Sequence, residues 1–186
     1  AFAFPKPIKT LTGDDYAVQN GHCYRLLEFL EGSFLAEADQ DAALLESFGE
    51  LLGTCGHLAA TFRDPGASPP FSWDLRHLPL SLQHQEQVSP PRTRTLIAYF
   101  AQQFETHVVP KQYALRTGYI HNDANDWNVL THRGKVSGLI DFGDACHSWL
   151  AADLAVGMTY ALMGKEDPMQ AAASILKGYS RCYTLE

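Results

Sequence analysis

His121-Asn122-Asp123-Ala124-Asn125-Asp126-Trp127-Asn128, followed after a short interval by Ile140-Asp141-Phe142-Gly143-Asp144, decides how this chain is read. The pattern is H-x-D-x-x-x-x-N and then D-F-G, and its two halves supply complementary chemistry. Moving a phosphoryl group from a nucleotide to a hydroxyl takes a carboxylate beside the attacking oxygen, to orient it and accept its proton. Asp123 stands where that base belongs. The transfer also takes hard oxygen ligands for Mg²⁺, which prefers one or two protein oxygens and fills its shell with water and phosphate. Asn128 offers a carbonyl and Asp141 a carboxylate. Either fragment alone is weak, because an isolated Asp-Phe-Gly is an ordinary strand-end turn and short motifs match by chance. Both halves in order, with a hairpin between them, carry the reading.

That hairpin is legible. Val129-Leu130 and Val136 to Ile140 read as two short apolar strands, and Thr131-His132-Arg133-Gly134-Lys135 holds the glycine of a tight turn. Such a hairpin brings Asn128 and Asp141 to one end, within reach of one ion. His121 is expected to fix the backbone around Asp123 by hydrogen bonds. Asp126 and Trp127 suit an amine through charge and cation–π attraction; an exposed carboxylate and a packed indole are the plain alternative. Asp153 sits in Ala152-Asp153-Leu154-Ala155, a run suited to a buried helix, where a carboxylate needs partners. Arg76, beside Trp73 and Asp74, is a weaker candidate for contact with substrate or phosphate.

These residues resemble the aminoglycoside phosphotransferase and choline kinase-like small-molecule kinases, and in particular their hydroxylysine kinase-like branch. The likeness runs through Tyr119 to Leu130 and Val136 to Asp144, and extends to Tyr24-Arg25-Leu26-Leu27-Glu28-Phe29-Leu30-Glu31-Gly32. It implies a protein kinase-like fold: residues 1–31 as the end of a β small lobe and its hinge strand, residues 32–186 as a mainly helical large lobe. It implies ATP and Mg²⁺, with Asp123 as base, Asn128 and Asp141 on the metal, and the backbone of Glu28, Phe29 and Leu30 against adenine. It gives Asp144 a place beside the metal and Asp153 the task of holding the loop. The implied reaction moves the γ-phosphoryl group to a hydroxyl of a small amino alcohol or hydroxy-amino acid, of the hydroxylysine, homoserine, choline or aminoglycoside kind. Such kinases also carry a phosphate-covering turn, a strand lysine and a helix glutamate ahead of the hinge. Only about two dozen residues precede Tyr24, too few for those elements at typical lengths. Lys6 and Lys9 lie in a Pro-rich run instead. The chain therefore reads as part of a longer polypeptide, and similar bacterial domains occur fused to class III aminotransferases. A second reading stays open: a non-catalytic kinase-like module that regulates a fused enzyme.

Composition narrows the classes. The 186 residues fit one domain, and a formal charge of −7 argues against a nucleic-acid phosphate backbone as partner. No apolar run approaches the length of a membrane span, and no leader peptide is visible, so a cytoplasmic protein is expected. Cys23, Cys55, Cys146 and Cys182 are scattered and read as free thiols. The histidines form no zinc pattern.

The remaining segments fill out an α+β architecture. Residues 4–31 alternate apolar and polar stretches around Gly13-Asp14-Asp15 and Asn20-Gly21, which predicts two or three antiparallel strands, the remnant of the small lobe. Leu44, Leu45, Phe48, Leu51, Leu52, Cys55, Leu58, Ala59 and Phe62 recur at helical spacing, with Asp39 or Asp41 as cap and Pro65-Gly66 as terminator. Gly49, Gly53 and Gly56 share one side of that helix, and close approach of another backbone would compensate their cost of about 1 kcal/mol each. Residues 64–73 read as a loop, and Trp73 to Leu78 opens a second helical region. A stronger helix follows from Pro91 to Val109, with Leu96, Ile97, Phe100, Phe104 and Val108 on one face. Two more helices are expected near 150–163 and 168–180.

Overall fold

The structure, a computed structural model, describes residues 1–64 and 73–185. Pro65-Gly66 and most of the 64–73 loop reading lie outside them. The chain begins with the hairpin β1 (Ala17–Gln19) and β2 (His22–Tyr24). Asn20 and Gly21 join its strands with φ of 51° and 76°, the pair of positive angles that a two-residue type I′ turn requires. The expected strand from Tyr24 to Gly32 is not formed. β2 stops at Tyr24, Leu27 makes only an isolated bridge with Pro7, and Leu26 and Phe29 are 65% and 90% exposed. A two-stranded ribbon has no second layer on which to bury a face.

Next come β3 (Ser33–Phe34), α1 (Ala42–Ala59), α2 (Leu78–Leu82), α3 (Pro91–His107), β4 (Thr117–Ile120), β5 (Val129–His132), β6 (Lys135–Leu139), β7 (Cys146–Trp149), α4 (Leu150–Leu162) and α5 (Pro168–Cys182). Asp41 caps α1, its carboxylate accepting the Leu44 N–H at 2.8 Å, which satisfies one of the free donors of the first turn. The helix ends at Ala59, short of Phe62, whose ring packs instead on Tyr119 with centroids 5.0 Å apart. Leu44, Phe48, Leu51 and Leu52 of α1 meet Val129, Val136, Leu139, Leu154, Ile175 and Tyr179 in the main core. The glycine side of α1 lies directly against the backbone of α5, where Ile175 O and Tyr179 O occupy the space that Cβ atoms on Gly49 and Gly53 would need.

The periodicity of α3 promises more burial than it delivers. Phe104 and Val108 pack under Trp149 and Ile120, but Leu96 and Phe100 are 48% and 65% exposed. An amphipathic stripe records a face able to be buried, and only its last turns meet a partner among the described residues.

Two antiparallel units carry the motif. β3, β5 and β6 form a three-stranded sheet in the order β3-β5-β6, and β4 pairs with β7. Arg133 and Gly134, with φ of 51° and 72°, make the β5–β6 turn, which sets Val129 opposite Leu139. The 121–128 loop leaves β4 and the 141–144 turn leaves β6, so the two emerge side by side. No helix among the described residues is long and apolar enough to cross a membrane.

Candidate active site

Ile140 ties the two halves of the motif together. Its N–H donates to Asn128 O at 2.9 Å, and its carbonyl accepts from His121 Nε2 at 2.9 Å. The other ring nitrogen, Nδ1, accepts the Asp123 N–H at 3.3 Å. A carbonyl can only accept and an amide N–H can only donate, so these partners assign His121 the neutral Nε2–H tautomer. The ring is 3% exposed and both nitrogens are spent, which leaves it no acceptor free to take a proton from a substrate. It positions the loop.

Asp153 anchors the same loop from below. It lies on α4, 4% exposed, and its carboxylate accepts the N–H groups of His121 at 3.3 Å and Asn122 at 2.8 Å. Burial pushes the carboxyl up from its ordinary value, and those donors oppose the shift. Between them Asn122 turns the chain with φ of 68°, a left-handed angle that Asn tolerates better than most residues. Its amide is buried without a hydrogen-bond partner among the described residues. The sequence reading gave Asn122 no role, and the only signal was an Asn between His and Asp where the loop must reverse. Asn122→Ala is expected to lower stability by about 1–2 kcal/mol, since alanine tolerates the left-handed angle less well than asparagine and the truncation leaves a void at a site only 1% exposed. Thermal unfolding measures it.

Beyond that turn, Asp123, Asn125 and Asn128 form one network. Asn125 Nδ2 donates to Asp123 Oδ1 at 2.9 Å, and its Oδ1 accepts the N–H groups of Trp127 and Asn128. Asn128 Nδ2 donates to Asp123 O and Oδ2, each at 2.9 Å. The amide nitrogen of Asn128 is thereby committed to the loop, and its carbonyl oxygen is left for another partner. Asp141 follows Ile140 in a left-handed conformation, φ 62°, with Oδ1 accepting the Gly143 N–H at 3.2 Å. The backbone strain of about 1–3 kcal/mol that such a residue carries is typical of positions over-determined for function. Asp144 closes the same turn. Among the described residues no cluster of three or more His, Cys, Asp or Glu assembles. One free carbonyl and one carboxylate fit Mg²⁺, which takes few protein ligands and relies on phosphates and water.

The other expected residues fall as follows. Trp127 packs on Phe34 with ring centroids 5.4 Å apart, while the Asp126 carbonyl accepts the Ala36 N–H at 3.0 Å. The Glu28 N–H is spent on Lys6 O at 2.9 Å; Phe29 and Leu30 make no backbone hydrogen bond among the described residues. Arg76 faces neither motif. Its guanidinium binds Asp74 at 2.7 Å and the His147 carbonyl, and Asp74 also accepts from Ser148 Oγ at 2.6 Å. Burial alone would raise the Asp74 carboxyl, but the Arg76 and Ser148 hydrogen bonds outweigh it and hold it below the ordinary value. Asp74→Asn is expected to cost about 2–3 kcal/mol at neutral pH, less than a fully buried pair because Arg76 is partly exposed. A depressed carboxyl contributes stability above its unfolded value and loses it as pH falls through the folded one. The two unfolding curves should therefore converge below about pH 4. Burial also pushes Cys55 and Cys146 up to about 12 and about 11, which makes them packing thiols.

Residues 2–185 match the sequence profile of the phosphotransferase enzyme family. The chain belongs to that family. Within it, hydroxylysine kinase from Mus musculus is 25% identical over 185 residues, 92% of this chain and 49% of that protein. Homoserine kinase from Chelativorans sp. (strain BNC1) is 30% identical over 179 residues, 94% and 53% of the two. The chain thus spans about half the length of these curated relatives. Among solved structures, amicoumacin kinase hAmiN in complex with AMP-PNP, Ca²⁺ and Ami superimposes over all of this chain and 58% of its own, with TM-score 0.72 at 19% identity. A microcompartment-associated aminopropanol kinase covers 100% and 61%, with TM-score 0.65 at 19% identity. These likenesses show the fold, which is the kinase-like α+β fold that the sequence led one to expect.

Proposed function

We propose that this phosphotransferase uses ATP and Mg²⁺ to phosphorylate a hydroxyl on a small amino alcohol or hydroxy-amino acid. Residues 1–31 are the end of the small lobe and the hinge, and 32–186 the large lobe. Asp123 orients the acceptor hydroxyl and takes its proton as that oxygen bonds to the γ-phosphorus and the bond to the ADP leaving oxygen breaks. Asn128 and Asp141 would hold the metal, which when bound neutralises charge on the phosphates. The Glu28 carbonyl and the backbone of Phe29 and Leu30 would face adenine, His121 and Asp153 position the loop, and Asp144 steadies the metal turn.

The observation that supports this best is the Ile140 link, since one residue's N–H and C=O join the loop of Asp123 and Asn128 to the turn of Asp141. The relatives' names support the acceptor class, being kinases of hydroxylysine and homoserine. The test is calorimetric titration of the full natural polypeptide with ATP, with and without Mg²⁺, beside ADP release over a panel of amino alcohols and hydroxy-amino acids. Metal-dependent ATP binding that Asp141→Asn weakens by tenfold or more, about 1.4 kcal/mol, is the expected result. Metal-independent binding, or none with a folded protein, would favour a non-catalytic module.

A further inference from the structure

A cavity of about 460 Å³ opens where the 36–40 segment, the 121–128 loop and the C-terminal end of α4 meet, lined in part by Gln40, Asp126, Trp127, Tyr160 and Lys165. We propose that this cavity is the acceptor pocket and that it selects α-amino acids bearing a side-chain hydroxyl over simple amino alcohols. The assignment rests on the phosphotransferase reading above and narrows its substrate class.

Two opposite charges carry the argument. Asp126 and Lys165 are both half-buried, and neither side chain has a hydrogen bond or ion pair among the described residues. Partial burial of an unpaired charge costs solvation, and a zwitterion answers both at once: its ammonium to Asp126, its carboxylate to Lys165. Trp127, 56% exposed and steadied by Phe34, offers an indole for a cation–π contact with the same ammonium. An amino alcohol satisfies Asp126 and Trp127 and leaves Lys165 unanswered. A plain anion does the reverse.

The pocket wall is also coupled to the reacting centre. Asn125 spans the two, donating to Asp123 Oδ1 and accepting the Trp127 N–H. Only Ala124 and Asn125 separate Asp126 from Asp123, so their Cα atoms lie no more than about 11 Å apart. An acceptor anchored at Asp126 therefore needs only a short carbon chain to bring its hydroxyl to the Asp123 carboxylate. Among the described residues, the larger cavity, about 690 Å³ beside His121 and Phe142, is lined mainly by apolar groups, and Arg25 is the one Asp, Glu, Lys or Arg on its wall. Those described residues offer an ammonium no carboxylate.

The experiment is calorimetric titration of the full natural polypeptide with homoserine, 5-hydroxylysine and 1-amino-2-propanol, on wild type, Lys165→Met and Asp126→Asn. Lys165→Met is expected to weaken the two amino acids about ten- to hundredfold, the worth of a charge-assisted hydrogen bond, and to spare aminopropanol. Asp126→Asn should weaken all three. Unchanged affinities in both variants, or no binding of any probe to folded wild type, overturns the pocket. ADP release with the same acceptors is read in parallel. Binding that depends on Asp126 and Lys165 without Asp123-dependent ADP release keeps the pocket and removes the kinase reading. ADP release indifferent to both substitutions does the opposite.

Discussion

Asp123→Asn in the full natural polypeptide is expected to lower kcat by about 10²–10⁴-fold, the share of catalysis that a positioned general base supplies. ATP affinity should hold within about threefold, because Asp141 is untouched and Asn128 Nδ2 keeps its bond to the Asp123 backbone carbonyl whichever side-chain acceptor is lost. The fold should also survive. Asp123 accepts from Asn125 Nδ2 on one oxygen and from Asn128 Nδ2 on the other, and an asparagine keeps one of those acceptors at nearly the same volume. The second donor loses its partner, at about 1–3 kcal/mol if it stays buried, and the backbone bonds to His121 and Asp153 remain to hold the loop. A split effect, large on kcat and small on nucleotide binding, distinguishes a base from a loop-stabilising residue, which would weaken both. Turnover within a few-fold of wild type would take the base away from Asp123.

The geometry of the candidate site was legible in the sequence because its parts are local. His121 to Asn128 and Ile140 to Asp144 are contiguous stretches joined by a two-residue turn at Arg133-Gly134, so spacing alone predicts a shared end. What spacing does not carry is the partner from elsewhere in the chain. Asp153 was visible as a buried carboxylate in an apolar helix, a chemical anomaly that demands donors, and the N–H groups of His121 and Asn122 meet that demand. Asn122 gave no such anomaly, since an Asn in a loop is unremarkable until its backbone is seen to be left-handed. Tyr160 and Lys165, at the far end of α4 and after it, join Asp126 only through tertiary packing.

Periodicity found α1, α3, α4 and α5, because a helix writes its buried face at regular spacing. It misjudged how much of α3 is covered: Phe104 and Phe100 look alike in sequence, and only the first meets Trp149. The family resemblance, not periodicity, implied a hinge strand over Tyr24 to Gly32, and it is not formed because the ribbon beside it offers no layer to bury Leu26 and Phe29.

Glycines in α1 were the subtler signal, and they yield the largest expected effect on stability. Gly49→Ala should destabilise the protein by about 3–5 kcal/mol, at the top of the range for overpacking. On an exposed helix the same change would add stability of about 1 kcal/mol, because alanine is the better helix former. Here a Cβ on Gly49 would lie 1.9 Å from Ile175 O and 2.8 Å from Tyr179 N, both backbone atoms. A flexible side chain could swing aside; a helix backbone cannot. α5 must move off α1, which opens the layer where Phe48, Leu52, Ile175 and Tyr179 interlock. Gly178 is the reciprocal case, since a Cβ there would lie 1.9 Å from Glu46 O, so Gly178→Ala should cost as much. The ion pairs of Lys177 and Arg181 with Glu46 and Glu50 bridge the same two helices, but exposed pairs contribute about 0–1 kcal/mol each and cannot hold the gap closed. Gly56→Ala is the control. Its nearest neighbour is the Tyr179 hydroxyl at 3.2 Å, the end of a side chain, and its effect should stay within about 1 kcal/mol of zero. Urea unfolding of the three variants separates the cases: equal midpoints for Gly49→Ala and Gly56→Ala would mean that α1 and α5 can part without loss, and that the glycine face is not what sets their approach.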